Sequence, residues 1–179
     1  MNGKLLIFIF VAGSALFSLA GNGKYPVPPK TPERLFYIQR NHNENTIVYD
    51  ARFDRSGNLD KNHPVHVYWI RYQEQGQVMP LRTIEKLFAY GVKTYPVNGK
   101  PGEYKVELVA TDKRDFLLKQ IAPFKARIYT QINGHEAVLD HLYIYADNSG
   151  VWPKVIYVEL FGYNSKTGKK VYEKMMTDN

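Results

Sequence analysis

The segment Pro64-Val65-His66-Val67-Tyr68-Trp69-Ile70-Arg71-Tyr72 constrains the fold of this chain more than any other stretch. Successive side chains on a strand point to opposite faces. Val65, Val67, Trp69 and Arg71 therefore look one way and His66, Tyr68, Ile70 and Tyr72 the other. Both sets are rich in apolar and aromatic groups, which calls for cover on both sides. The segment reads as a central strand of a sheet, or as part of the wall of a small barrel, with Pro64 opening the strand where proline is tolerated.

The flanking sequence supplies partners for such a strand. Leu35–Arg40 and Thr46–Phe53 are strand-like runs separated by Asn41-His42-Asn43-Glu44-Asn45, whose asparagines tolerate turn geometry, so the pair reads as a hairpin. Asp54–Asp60 resembles a calcium loop at first sight. Its Gly57 is the fourth residue rather than the sixth, and no acid closes the loop, so it reads as a turn. Leu81, Ile84, Leu87 and Phe88 recur at helical spacing and Gly91 stands where a left-handed C-terminal residue is favoured, predicting a short amphipathic helix over Thr83–Tyr90 that lies on the sheet or plugs the end of a barrel. Further strands follow at Val92–Val97, Glu103–Ala110, Phe116–Ile121, Lys125–Ile132, Ala137–Tyr145, Val155–Tyr163 and Lys170–Met175. Asn133-Gly134 is a strong two-residue hairpin signal among them. The expected fold is mainly β, an antiparallel sandwich or small barrel of about nine strands with one short helix.

The N-terminus has a different character. Lys4 precedes an almost unbroken apolar run from Leu5 to Leu19, and Ser18-Leu19-Ala20 offers small residues for cleavage, the pattern of a secretory signal peptide over residues 1–20. Residues 21–34, with four prolines in GNGKYPVPPKTPE, read as an extended leader and a plain tether. Residues 35–179 form a single domain, long enough to bury a core. The chain has no Cys, which excludes disulfides, thiol catalysis and thiolate metal sites. It is formally +7, or +6 without Lys4, and its basic residues are scattered rather than clustered, which disfavours nucleic acid as a partner. The expectation is an exported protein, periplasmic or secreted, with no transmembrane segment in the mature chain.

Phe36-Tyr37-Ile38-Gln39-Arg40-Asn41, Asn45-Thr46-Ile47-Val48-Tyr49-Asp50, and Pro64-Val65 with Val67-Tyr68-Trp69-Ile70-Arg71-Tyr72 and Ile84-Glu85 resemble a domain family of unknown function found in secreted bacterial proteins. The resemblance spans the domain and implies no assigned chemistry, cofactor or catalytic residue.

The residues themselves carry few catalytic signals. His63 and His66 are three apart, which on a strand sends the rings to opposite faces, so no metal site is expected there. Ser56, Ser149 and Ser165 all fall in turns, with no nucleophile elbow. The reading that fits best is therefore a binding domain, with Arg40, His66, Tyr68, Arg71 and Tyr72 as candidate ligand contacts. Guanidinium groups recognise carboxylate or phosphate, and aromatic rings stack on sugars or cover acyl chains. The ligand would be a small anionic or amphiphilic molecule, a lipid, a glycan or an envelope partner, with no cofactor. A structural role competes for the arginines, pairing with Asp50 or Glu85 inside the fold. The alternative is a hydrolase or isomerase, which predicts that two of Asp50, His66, Asp140, His141 and Glu159 converge in one cleft.

Overall fold

The computed structural model of the protein describes residues 25–109, 111–150 and 153–177, with backbone alone at 111–113; residues 1–20, where the sequence has the pattern of a signal peptide, lie outside the described residues. Eleven strands follow in order: β1 Arg34–Arg40, β2 Asn43–Ala51, β3 Val65–Arg71, β4 Gln77–Pro80, β5 Val92–Pro96, β6 Glu103–Leu108, β7 Thr111–Ala122, β8 Lys125–Ile132, β9 His135–Asp147, β10 Lys154–Asn164 and β11 Lys170–Met176. One helix, α1, spans Thr83–Phe88. The predicted mainly β fold is the observed one.

Strand β9 organises the sheet. One edge pairs with β10 along most of its length, and β10 continues to β11. The other edge is shared, pairing first with β8 through His135–Val138 and then with β1 through His141–Ile144. Two wings diverge from it, β1-β2-β3-β4 and β8-β7-β6-β5, and the sheet curls into a half-barrel. The β1–β9 pair is parallel and the other pairs are antiparallel. Asn41 extends that parallel join, its amide donating to the Ala146 carbonyl at 2.7 Å and accepting from the Ala146 amide at 2.8 Å. The pairing ladder does not close, and among the described residues β4, β5 and β11 each keep an open edge.

The wings bury one large core between them. Phe36 of β1 stacks on Tyr49 of β2 at 4.2 Å and on Phe116 of β7 at 6.4 Å, joined by Ile47, Trp69, Val106, Leu118, Ile128 and Leu139. The Asp54–Asp60 turn clasps the opposite wing: Gln120 donates to the Gly57 carbonyl at 2.9 Å and accepts from the Leu59 amide at 2.9 Å. The Asn133-Gly134 hairpin forms as expected, both residues at positive φ.

Several expectations need correction. Strands β1 and β2, rather than β3, carry the continuous two-sided burial, because β3 has only the four-residue β4 beyond it and exposes His66. The Pro-rich leader is more than a tether. Tyr25–Pro29 crosses the outer face as a strap: Gln39 donates to the Pro26 carbonyl at 2.8 Å, and Val27 packs on Tyr37, Val48 and Ile70. Tyr25 lies 5.9 Å from the Tyr143 ring. That strap, with its own small core, supplies the second layer the strand pattern demands.

The helix forms but is turned over. Leu81 is buried, whereas Ile84, Leu87 and Phe88 are 62, 60 and 75% exposed. Glu85 sets the orientation: it accepts the Arg82 backbone N–H at 2.8 Å and the Trp69 indole N–H at 3.1 Å, so the acid faces the sheet. Gly91 is needed for a close approach rather than for left-handed geometry, since a Cβ there would lie 1.9 Å from the Lys86 carbonyl oxygen.

Candidate functional site

The outer face of the sheet carries a run of aromatic and ionisable groups. Paired residues form a continuous row across six strands, from Tyr68 (β3) through Val48 (β2), Tyr37 (β1), His141 (β9) and Phe161 (β10) to Tyr172 (β11). Tyr37 stacks on His141 at 4.9 Å, His141 on Phe161 at 4.3 Å, and Phe161 meets Tyr172 at 5.1 Å. Cross-strand contact of this kind follows from register, which brings directly opposite side chains within about 5 Å.

The strap divides this face into two fields. In the field around β3, Asp50 accepts from Arg34 at 2.6 Å and from the Tyr68 hydroxyl at 2.7 Å. Burial, followed by the Asp50 bond, pushes the Tyr68 phenol up to about 12. His66 lies 5.1 Å from the Tyr68 ring and is held below its ordinary value by burial and by Arg52, against the opposing pull of Asp50.

The field on β9–β11 is more open. Tyr145 stacks on Tyr157 at 4.9 Å with an interplanar angle of 4°, and the Lys174 ammonium lies 3.6 Å above the Tyr157 ring. One row along, Tyr172 donates to Glu159 at 2.6 Å, and that bond pushes its phenol up to about 12. Tyr145, Tyr163 and Tyr172 are 37, 39 and 46% exposed. A β-bulge completes the field. Phe161 pairs with His141 but Gly162 with Leu139, leaving Asp140 as the extra residue. The bulge brings Asp140 Oδ2 within 2.7 Å of His141 Nδ1, although neighbours on a regular strand face apart. Gly162 makes the bulge possible, because a Cβ there would meet the Val138 carbonyl oxygen at 2.5 Å.

The five candidate contacts do not meet in one place. His66, Tyr68 and Tyr72 belong to the outer face, and the Tyr72 hydroxyl oxygen is buried without a hydrogen-bond partner among the described residues. Arg40 belongs to the inner side, its guanidinium 5.2 Å from the Trp69 ring centre and 2.7 Å from the Tyr90 hydroxyl it donates to. Arg71 pairs with Glu74 at 2.8 Å at the strand end. Neither arginine takes the predicted partner, since Asp50 binds Arg34 and Glu85 binds Arg82 and Trp69.

Of the enzyme candidates, Asp140 and His141 are hydrogen-bonded, with the imidazole sandwiched between Tyr37 and Phe161, and Asp50 and His66 stand opposite each other across β2 and β3. Asp50 and Glu159 are each taken up by a tyrosine hydroxyl. The open field was partly legible in the sequence, because alternation groups Tyr157, Glu159, Phe161 and Tyr163. Tyr145, Tyr172 and Lys174 join them only through register.

A separate open cleft of about 1000 Å³ lies among the β5–β6 turn, the Asp54–Asp60 turn and the β7–β8 hairpin, with Lys61, Lys100 and Glu103 in its lining. It contains none of the candidate residues. No helix among the described residues is long and apolar enough to cross a membrane.

No curated protein and no solved structure matched the chain. A family model, Domain of unknown function (DUF4833), matches residues 36–174, from β1 to β11, and leaves the strap outside its limits. The match covers most of the chain, so this chain belongs to the DUF4833 family, a family without assigned function.

Proposed function

We propose that this is an exported, non-catalytic domain that binds a glycan across the open field of β9–β11. The observation that carries the reading is the surface combination there. Stacked, part-exposed rings Tyr145 and Tyr157 stand beside Glu159, Tyr172 and Lys174 on adjacent strands. Tyrosine presents a broad apolar face with a polar tip, suited to the C–H faces of a sugar ring and to its hydroxyls. A carboxylate accepts hydrogen bonds and an ammonium donates them, so both kinds of sugar hydroxyl contact are available. The strands hold these groups in a rigid plane, which reduces the ordering cost of binding. The signal-peptide pattern over residues 1–20 and the scattered positive charge support an envelope or extracellular glycan as the target.

The test is retention of the full chain on a panel of insoluble polysaccharides: peptidoglycan sacculi, chitin and cellulose. The few central residues that dominate an interface, tyrosines prominent among them, cost about 1.4 kcal/mol or more when truncated, and about 1.4 kcal/mol is a factor of ten. Tyr157→Ala and Tyr172→Ala should each weaken retention about tenfold. Tyr95→Ala, an exposed tyrosine on the β5 edge, should not. Retention on none of the polymers, or equal retention of all three variants, would refute the proposal.

A further inference from the structure

A two-turn helix with its apolar stripe facing water needs an explanation beyond packing. Ile84, Leu87 and Phe88 follow the i, i+3, i+4 spacing of a single helix face, and all three are at least 60% exposed. Isolated exposed apolar side chains are ordinary, but a contiguous group on one face marks an interaction surface. The orientation is built in rather than accidental. Leu81 is buried at the helix entry, Glu85 is tied to Trp69 and to Arg82, and Gly91 admits the return of the chain against the Lys86 carbonyl. Rolling the stripe inward would break the Glu85 bonds and drive a carboxylate out past the sheet.

We infer that α1 is a membrane-contacting element that inserts Ile84, Leu87 and Phe88 into the interface of a bilayer containing anionic phospholipid. Charge selects this occupant. Lys86 on α1 and Lys93 on β5 are exposed, and the only acid in the helix, Glu85, is turned inward with its charge matched by Arg82 at 2.8 Å, which leaves the two lysines as the excess charge of this segment. A short helix pairing an apolar face with cations fits an anionic lipid surface. A second copy of this chain would bring the same patch and the same sign of charge, +7 overall, against it. The inference is independent of the glycan reading, because α1 and the β9–β11 field lie on different elements.

The chain has no cysteine, so Leu87→Cys creates one labelling site for the environment-sensitive fluorophore NBD. Lys166→Cys, in the exposed β10–β11 turn, provides the control site. The full chain is mixed with vesicles of POPC alone or of POPC with POPG. Because the label reports only its own surroundings, vesicle binding through the apolar N-terminal run does not mimic insertion of α1. The expected result is a blue-shifted, brighter emission from position 87 on POPC/POPG vesicles, quenched by nitroxide-bearing lipid, with no change at position 166. Adding Lys86→Gln should raise the vesicle concentration needed about fivefold. The inference is overturned if the position-87 label stays water-exposed while the chain sediments with vesicles. It is equally overturned if POPC alone gives the same response, or if the shift occurs without vesicles and grows with protein concentration, the mark of a second copy.

Discussion

Replacing the strap Tyr25–Pro29 by Gly-Ser-Gly-Ser-Gly should destabilise the domain by about 2 kcal/mol, a figure that follows from what the strap covers. Val27 is half-buried on Tyr37, Val48 and Ile70, and Pro28 is buried, contributing about 1 kcal/mol each. The bond from Gln39 to the Pro26 carbonyl contributes about 1 kcal/mol net. Shielding Tyr37, Val48 and Ile70, all under 8% exposed, contributes about 2 kcal/mol more. Against this stands the ordering of five residues, about 3 kcal/mol when three of them are prolines with φ already restricted. The assay is equilibrium urea unfolding followed by far-UV circular dichroism. With a typical urea m-value, the loss corresponds to a midpoint lower by about 1 M. An unchanged midpoint would show that the strap adds nothing to the fold and would refute the two-layer account of β1 and β2.

Three further outcomes can be checked with the same material. Arg34→Met leaves Asp50 without its cation where both side chains are at most 15% exposed, and should cost about 3 kcal/mol by urea titration; a loss within error would mean that solvent screens the pair. Gly162→Ala places a methyl group against the Val138 carbonyl and Ile132, and should lower stability by about 1–3 kcal/mol and disturb the His141 ring resonances; a neutral result would show that the bulge relaxes freely. Burial holds Tyr37 and Tyr49 protonated well above the ordinary phenol range, and Tyr68 and Tyr172 are pushed up to about 12. The unfolded chain then releases these protons first, so stability is complete below about pH 10 and falls as pH rises beyond it. Tyrosinate absorbance should show a late-titrating group that ionises together with loss of the β-sheet signal, and simple titration of every tyrosine near pH 10 would contradict the burial.

Much of the fold was readable because it rests on local rules. Alternation in Glu103–Leu108 put Tyr104, Val106 and Leu108 inside, and they are buried. Asn133-Gly134 specified its hairpin through backbone geometry alone. Local signals mislead where they compete with a distant partner. Apolar periodicity predicted a buried stripe on α1, but a carboxylate that can reach an indole N–H and a backbone N–H at once outweighed it. Proline content predicted a tether, and nothing within Tyr25–Pro29 reveals that Gln39 and Val48 await it. The candidate site was half legible for the same reason. Alternation groups Tyr157, Glu159 and Phe161, whereas the approach of Tyr145, Tyr172 and Lys174 depends on pairing across three strands.

The outer face of β9–β11 is the binding surface we propose for this domain. Backbone amide chemical-shift mapping, with a soluble oligosaccharide cut from the polymer that retains the chain, tests it most directly. The predicted result is a contiguous set of shifts at Tyr145, Tyr157–Phe161 and Tyr172–Lys174, little affected elsewhere. Shifts centred instead on Arg40, Trp69 and Tyr90, or on the Val97–Gly102 turn beside the open cleft, would contradict it.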